Sequence, residues 1–132
     1  MAERAEGKFE VTSWSEDAAE GLPGTAKVTR ATFGQRFSGG IEADTIADTV
    51  MTYRPDGTAD YVGFQRISGR LDGRTGTFVV QAVGGFDGQV ARAEITVVPG
   101  SGTDELAGLR GRGTVEVPMG TSGTYSLDYE LG

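Results

Sequence analysis

Five side chains in this sequence combine a polar tip with a place on an otherwise apolar strand face: Tyr53, Tyr61, Gln65, Tyr125 and Tyr129. Phenol hydroxyls and a carboxamide orient a bound molecule through neutral hydrogen bonds; unperturbed, they supply no acid or base near neutral pH. The chain has no histidine and no cysteine. Imidazole acid–base chemistry, Ser-His and Cys-His nucleophiles, thiolate metal sites and disulfides are therefore excluded, along with nearly all zinc and non-haem iron chemistry. No metal and no cofactor are expected, and no residue stands out as catalytic. Asp44 and Asp48 fall near each other, yet a hard cation needs more oxygen ligands in one compact loop. Glu42 with Asp44, and Glu116 with Asp128 and Glu130, sit on the polar side of their segments. Ser101 lies between Gly100 and Gly102, which is not the Gly-x-Ser-x-Gly spacing of a nucleophile elbow and has no histidine to serve it.

Orienting groups of this kind need rigid elements to hold them, and the sequence supplies strands. Segments rich in β-branched and aromatic residues recur at 8–14, 25–38, 41–53, 58–70, 75–84, 89–98, 110–117 and 124–131. Between them stand turn signals: Gly39-Gly40, then Asp56-Gly57, Asp72-Gly73 and Asp87-Gly88. Asp-Gly between alternating segments predicts a two-residue type I′ hairpin, because that turn needs positive φ at both central residues. Ser15 to Gly24, acidic and ending in Leu22-Pro23-Gly24, reads as an excursion before the second strand. Thr103 to Leu109 reads as one helical turn with Thr103 as its N-cap. Glycine is 22 of 132 residues, about twice the usual share, which tight turns and bulges in a β-protein explain.

Eight strands joined mostly by hairpins must close or leave long edges exposed. The expected fold is all-β, a single domain over 1–132 forming a closed eight-stranded antiparallel up-and-down barrel; a β-sandwich is the runner-up, but no long connection after Gly39 demands one. Parity then says which side chains face in. Tyr125, Leu127 and Tyr129 oppose Thr124, Ser126 and Asp128; Ala91, Ala93, Ile95 and Val97 oppose Arg92, Glu94 and Thr96; Tyr61, Gly63, Gln65 and Ile67 share a side. The predicted lumen is lined by Phe33, Met51, Tyr53, Tyr61, Phe78, Ile95, Tyr125 and Tyr129, with Gln65 as its most polar occupant. A mostly apolar cavity with a few hydroxyl and amide groups suits one small molecule. The bland alternative is a core packed solid, each tyrosine hydroxyl finding a backbone partner. Trp14, at the end of the first strand, is expected to plug the barrel bottom rather than rim a pocket.

The formal charge is −7 and the pI about 4.5. Phosphate recognition needs a basic footprint, so nucleic acid is not an expected partner; the short Gly108–Gly113 run (GLRGRG) reads as a bulged strand start and not as an RNA-binding segment. No membrane association is expected either. Met1 to Lys8 is charged and lacks the apolar centre of a signal peptide, so a cytoplasmic location is expected.

The stretch Val97–Gly113 (VVPGSGTDELAGLRGRG), and above all Ser101 to Leu109, resembles an uncharacterised bacterial domain-of-unknown-function family whose fold is similar to the allene oxide cyclase barrel, a calycin-like architecture. The resemblance extends to GKFEVTSW at 7–14, VMTYRPDGTADYVGFQRISG at 50–69, GRTGTFVVQ at 73–81 and TYSLDY at 124–129. It implies an eight-stranded barrel and a homo-oligomer, with a dimer favoured. Cyclases of this shape hold a reactive apolar molecule in one conformation and exclude water, which requires no histidine and no metal. Relatives often carry Glu where this chain has Gln65, and His where it has Ala82, so acid–base catalysis is disfavoured here. The expected function is binding of a small apolar ligand in the lumen, with cofactor-independent cyclisation or isomerisation by conformational templating as its catalytic form. The alternative is a non-catalytic structural or interaction module.

Overall fold

Along Ile41–Tyr53 the run Ile41, Ala43, Thr45, Ala47 and Thr49 is buried while Glu42, Asp44, Ile46, Asp48 and Val50 face solvent. That period of two, repeated along the chain, makes each segment a strand with one inward face. A computed structural model describes residues 3–118 and 122–131, arranged as eight strands. They are β1 Glu3–Ala18, β2 Lys27–Gly39, β3 Ile41–Tyr53, β4 Ala59–Leu71, β5 Arg74–Phe86, β6 Val90–Val97, β7 Leu109–Pro118 and β8 Ser122–Leu131. Each pairs antiparallel with the next in sequence order, and β8 returns to pair with β1. The result is the closed up-and-down barrel, not the sandwich. Among the described residues no helix is long and apolar enough to cross a membrane.

Only one Asp-Gly pair forms the tight turn that the sequence suggests for all three. Asp72 and Gly73 both have positive φ, 47° and 84°, as type I′ requires. At Asp56-Gly57 and Asp87-Gly88 the aspartate keeps negative φ and bonds its own loop instead. Asp56 Oδ1 accepts from the Thr58 N–H at 2.9 Å, and Asp87 Oδ1 accepts from the N–H groups of Gln89 and Val90, both at 2.9 Å. These are Asx-type turns, which suit loops longer than two residues.

β1 is longer than its alternation suggests. Glu3–Glu10 pair with β8, and Gly7–Ala18 pair with β2. The acidic stretch Ser15–Ala18, expected to be an excursion, is therefore strand. Thr12 has no opposite residue on β2: Val11 faces Gln35 and Ser13 faces Gly34. This bulge shifts parity by one residue, so the inward positions run Ala5, Phe9 and Val11 before it and Trp14 and Glu16 after it.

One end of the lumen is packed solid. Phe9, Phe37, Ile41, Ile67, Leu71, Phe78, Leu127 and Tyr129 form a single buried cluster there. Phe37 stacks on Phe9 at 5.1 Å and tilts against Tyr125 at 4.9 Å. A 3₁₀ turn at Asp104–Leu106 inserts Leu106, fully buried, beneath them. Thr103 precedes that turn but gives it no side-chain cap. Its hydroxyl accepts instead from the Thr77 N–H at 3.0 Å, holding the β6–β7 connection against β5. Tyr125 fastens the β2–β3 turn: its hydroxyl accepts from the Ile41 N–H at 2.7 Å and contacts the Ser38 carbonyl at 2.7 Å. Tyr129 donates to Asp72 Oδ2 at 2.5 Å and fastens the β4–β5 turn. Gly7 makes this closeness possible, since a Cβ there would lie 2.0 Å from the Ser38 carbonyl oxygen and 2.6 Å from the Tyr125 hydroxyl.

Removing the Tyr125 hydroxyl leaves the buried Ile41 N–H without that partner. Tyr125→Phe is expected to lower unfolding free energy by about 1–3 kcal/mol, read from urea denaturation; a change below about 0.5 kcal/mol, the level of a neutral surface substitution, contradicts the clamp.

Candidate functional site

The opposite half of the lumen is open. A cavity of about 520 Å³ runs in from the end that carries the β1–β2, β3–β4 and β5–β6 connections, within the roughly 300–1,000 Å³ of small-molecule sites. It exists because inward positions here carry small side chains: Ala47, Ala59, Gly63, Ala82, Ala91 and Ala93 all line it. Met51, Phe33, Phe86, Ile95, Val115 and Val117 complete the apolar walls. At the mouth the Trp14 ring stacks on Phe33 with centroids 4.9 Å apart. Trp14 is 52% exposed, so it rims the open end and does not plug the bottom. The bulge at Thr12 turns it inward, and Leu106 takes the plugging role.

Six of the nine residues expected to face the cavity do so: Phe33, Met51, Tyr53, Tyr61, Gln65 and Ile95. Phe78, Tyr125 and Tyr129 point inward but lie in the packed half, where each is buried among core side chains. Parity distinguishes inside from outside; it does not say how far along the axis a residue sits. Asp44 and Asp48 point outward and pair with Arg36 at 2.7 Å and Arg66 at 2.6 Å. Beyond the expected residues, the polar side chains of Gln35 and Thr49 line the cavity, and Glu16, which does not line it, bonds Tyr53 at the rim. The Phe33–Gln35–Phe37 spacing shows Gln35 on the inward parity, whereas Glu16 is hidden by the bulge.

At the floor of the cavity, Gln65 Nε2 donates to Gln35 Oε1 at 2.8 Å and to Thr45 Oγ1 at 2.7 Å. Thr45 in turn donates to the Gln35 backbone carbonyl at 3.0 Å. At the rim, Glu16 Oε2 accepts from Tyr53 at 2.6 Å and from Thr29 at 2.7 Å, while its other oxygen accepts from Trp14 Nε1 at 3.2 Å. The Lys27 ammonium sits 5.3 Å from the centre of the Tyr53 ring, a cation–π distance.

Residues 5–129 match the sequence model of a family described as protein of unknown function, DUF3224. The chain belongs to the DUF3224 family. A crystal structure of a DUF3224 protein of unknown function from Shewanella oneidensis MR-1 is similar throughout: 28% identity, TM-score 0.85, with 100% of this chain and 99% of that chain covered. No curated protein matches this chain.

In this DUF3224 barrel, two tyrosines that line the cavity and the Glu16 carboxyl at its rim are all shifted away from neutral pH. Burial pushes the Tyr61 hydroxyl up to about 12. Burial also raises Tyr53, and its bond to the Glu16 carboxylate raises it further. For Glu16, partial burial acts upward but is outweighed by the hydrogen bonds from Tyr53, Thr29 and Trp14 and by the charge of Lys27, so its carboxyl lies below the usual range. None of the three is poised as an acid or base near pH 7. The cavity presents apolar walls with a few neutral hydrogen-bonding groups.

A carboxyl depressed on folding stabilises the protein above its unfolded pKa, and that contribution disappears as pH falls through the folded value. Glu16→Gln is accordingly expected to cost about 1 kcal/mol at pH 7, with the gap to wild type closing as pH drops below the ordinary 4.5. Urea midpoints measured from pH 7 to pH 3 check this; a gap that stays constant or widens in acid refutes the assignment.

Proposed function

We propose that this DUF3224 barrel binds one small apolar molecule in the open half of its lumen. The observation that carries the reading is the half-and-half lumen itself: large side chains fill one end, and small ones leave about 520 Å³ at the other, behind a Trp14–Phe33 lip. Burying apolar ligand surface there yields roughly 25 cal/mol per Å², and the preformed walls lower the ordering cost. With no group titrating near neutrality, catalysis at this site would be conformational: a flexible molecule held in the shape that cyclises or isomerises, with water excluded.

The neutral dye N-phenyl-1-naphthylamine tests the binding. Wild type is expected to bind it at micromolar concentration with a rise in dye fluorescence and quenching of Trp14, the single tryptophan. Ala47→Phe, which fills the cavity wall, is expected to weaken binding about tenfold or more while leaving the circular dichroism spectrum unchanged. No enhancement with wild type refutes the reading.

A second reading concerns the outside of the barrel, where we infer that a second copy of this chain docks on β3–β5. Elsewhere the outer face is charged, as at Arg4–Asp128 and Arg92–Glu116. On β3–β5, Ile46, Val50, Val62, Phe64 and Val83 are all about half exposed, and Val50, Val62 and Val83 line up directly across the three strands. The charges within this patch, Arg66 and Asp48, neutralise each other at 2.6 Å. Two copies of an otherwise acidic chain therefore meet without net repulsion along this stripe, and a self-complementary patch suits a twofold dimer. Light scattering after gel filtration is expected to show a dimer that Phe64→Glu converts to monomer. A wild-type chain that is monomeric at 100 µM, roughly the top of the weak range, overturns it.

A further inference from the structure

The deep end of the cavity is polar but carries no charge. Gln65 and Gln35 are 7% and 9% exposed, and they bond to each other through one amide hydrogen only. The direction of that bond is set by Thr45. Its hydroxyl proton goes to the Gln35 backbone carbonyl, so towards Gln65 it can only accept, and Gln65 must present its NH₂ to it. Gln65 Oε1 and Gln35 Nε2 are then left over, one acceptor and one donor, with no protein partner among the described residues. Neither is sealed away, because among the described residues no fully buried side-chain polar atom lacks a partner. Both residues line the cavity, so these two atoms open onto it. Four residues nearer the mouth on the same face of β4, with its Cα about 13 Å along the strand, Tyr61 also lines the cavity, and its hydroxyl makes no hydrogen bond to the described protein groups.

We propose that the lumen selects an uncharged ligand whose buried end carries a group able both to donate and to accept a hydrogen bond, a hydroxyl or a carboxamide, seated between Gln35 Nε2 and Gln65 Oε1. This rests on the reading of the open half-lumen as a small-molecule site. Carboxylates and ammonium ions on the same skeleton are rejected. No Lys, Arg, Asp or Glu lines the cavity among the described residues, so an ion at the floor loses its water and gains no counter-charge. A carboxylate would also face the Gln65 carbonyl oxygen. A purely hydrocarbon end is discriminated against in the other direction, since it leaves the two amide groups unpaired once water is displaced. The Glu16 carboxylate at the rim adds to the bias against anions.

The test is a ten-carbon series of decan-1-ol, decanamide, decanoate and decylammonium, titrated at pH 7 by calorimetry and Trp14 fluorescence. Decanol and decanamide are expected to bind about tenfold or more tightly than either ion. Gln35→Leu is expected to reduce the preference for decanamide over decanoate to about threefold or less. If decanoate binds as tightly as decanol, selection for neutral ligands is overturned while the lumen site stands. If Gln35→Leu folds and keeps the full preference, the assigned seat is wrong. If neither the series nor the dye binds wild type, the site itself fails. Should Gln35→Leu not fold, the wild-type ranking of neutral against charged ligands alone upholds or overturns the selection.

Discussion

The barrel depends on β1 pairing with two neighbours at once. Glu3–Glu10 pair with β8 and Gly7–Ala18 with β2, and the β2 pairing is broken once, by the bulge at Thr12, just past the last residue paired with β8. Without the β8 pairing the sheet would have two long free edges; without the bulge, Trp14 and Glu16 would project into solvent. One strand thus closes the barrel with its first residues and, beyond the bulge, builds the cavity rim with its last. The bulge also explains how an acidic segment such as Ser15–Ala18 is kept as strand: Glu16 turns inward to meet Thr29, Tyr53 and Trp14, while its neighbours stay wet.

Along the barrel axis the same architecture serves two ends differently. Phenylalanine, leucine and tyrosine fill one half and are tied to two turns by phenol hydroxyls. Alanine and glycine line much of the other half and leave room. In a packed core such a void would be costly, roughly 20 cal/mol per Å² of its surface. Here the wall is a continuous hydrogen-bonded sheet that does not collapse when its inward side chains are trimmed, and the amide pair of Gln35 and Gln65 marks the boundary between the halves.

Most of the fold is legible in the sequence because it rests on period two. The eight strands, their inward faces on β4, β6 and β8, and the closure follow from alternation and turn residues. What alternation cannot carry is height along the axis, and so it groups Phe78, Tyr125 and Tyr129 with the cavity though they belong to the packed half. The run of inward alanines, Ala47, Ala59, Ala82, Ala91 and Ala93, is the available signal for where the space lies. The bulge is not legible: Val11-Thr12-Ser13 contains neither glycine nor proline, and only its pairing with Gln35 and Gly34 reveals it. The Asp-Gly pairs show the limit of a dipeptide rule, since an aspartate side chain can also cap its own longer loop.

The clamped end has a consequence for the loops at the opposite end. With Leu106, Tyr125 and Tyr129 holding one end, the three described loops at the other end, residues 19–26, 54–58 and 87–89, contribute nothing to the buried cluster. They are free to vary in length and composition without weakening the core. A fold anchored at one pole can accept changes in the loops of the other while the packed half and its tyrosine clamps keep the barrel closed.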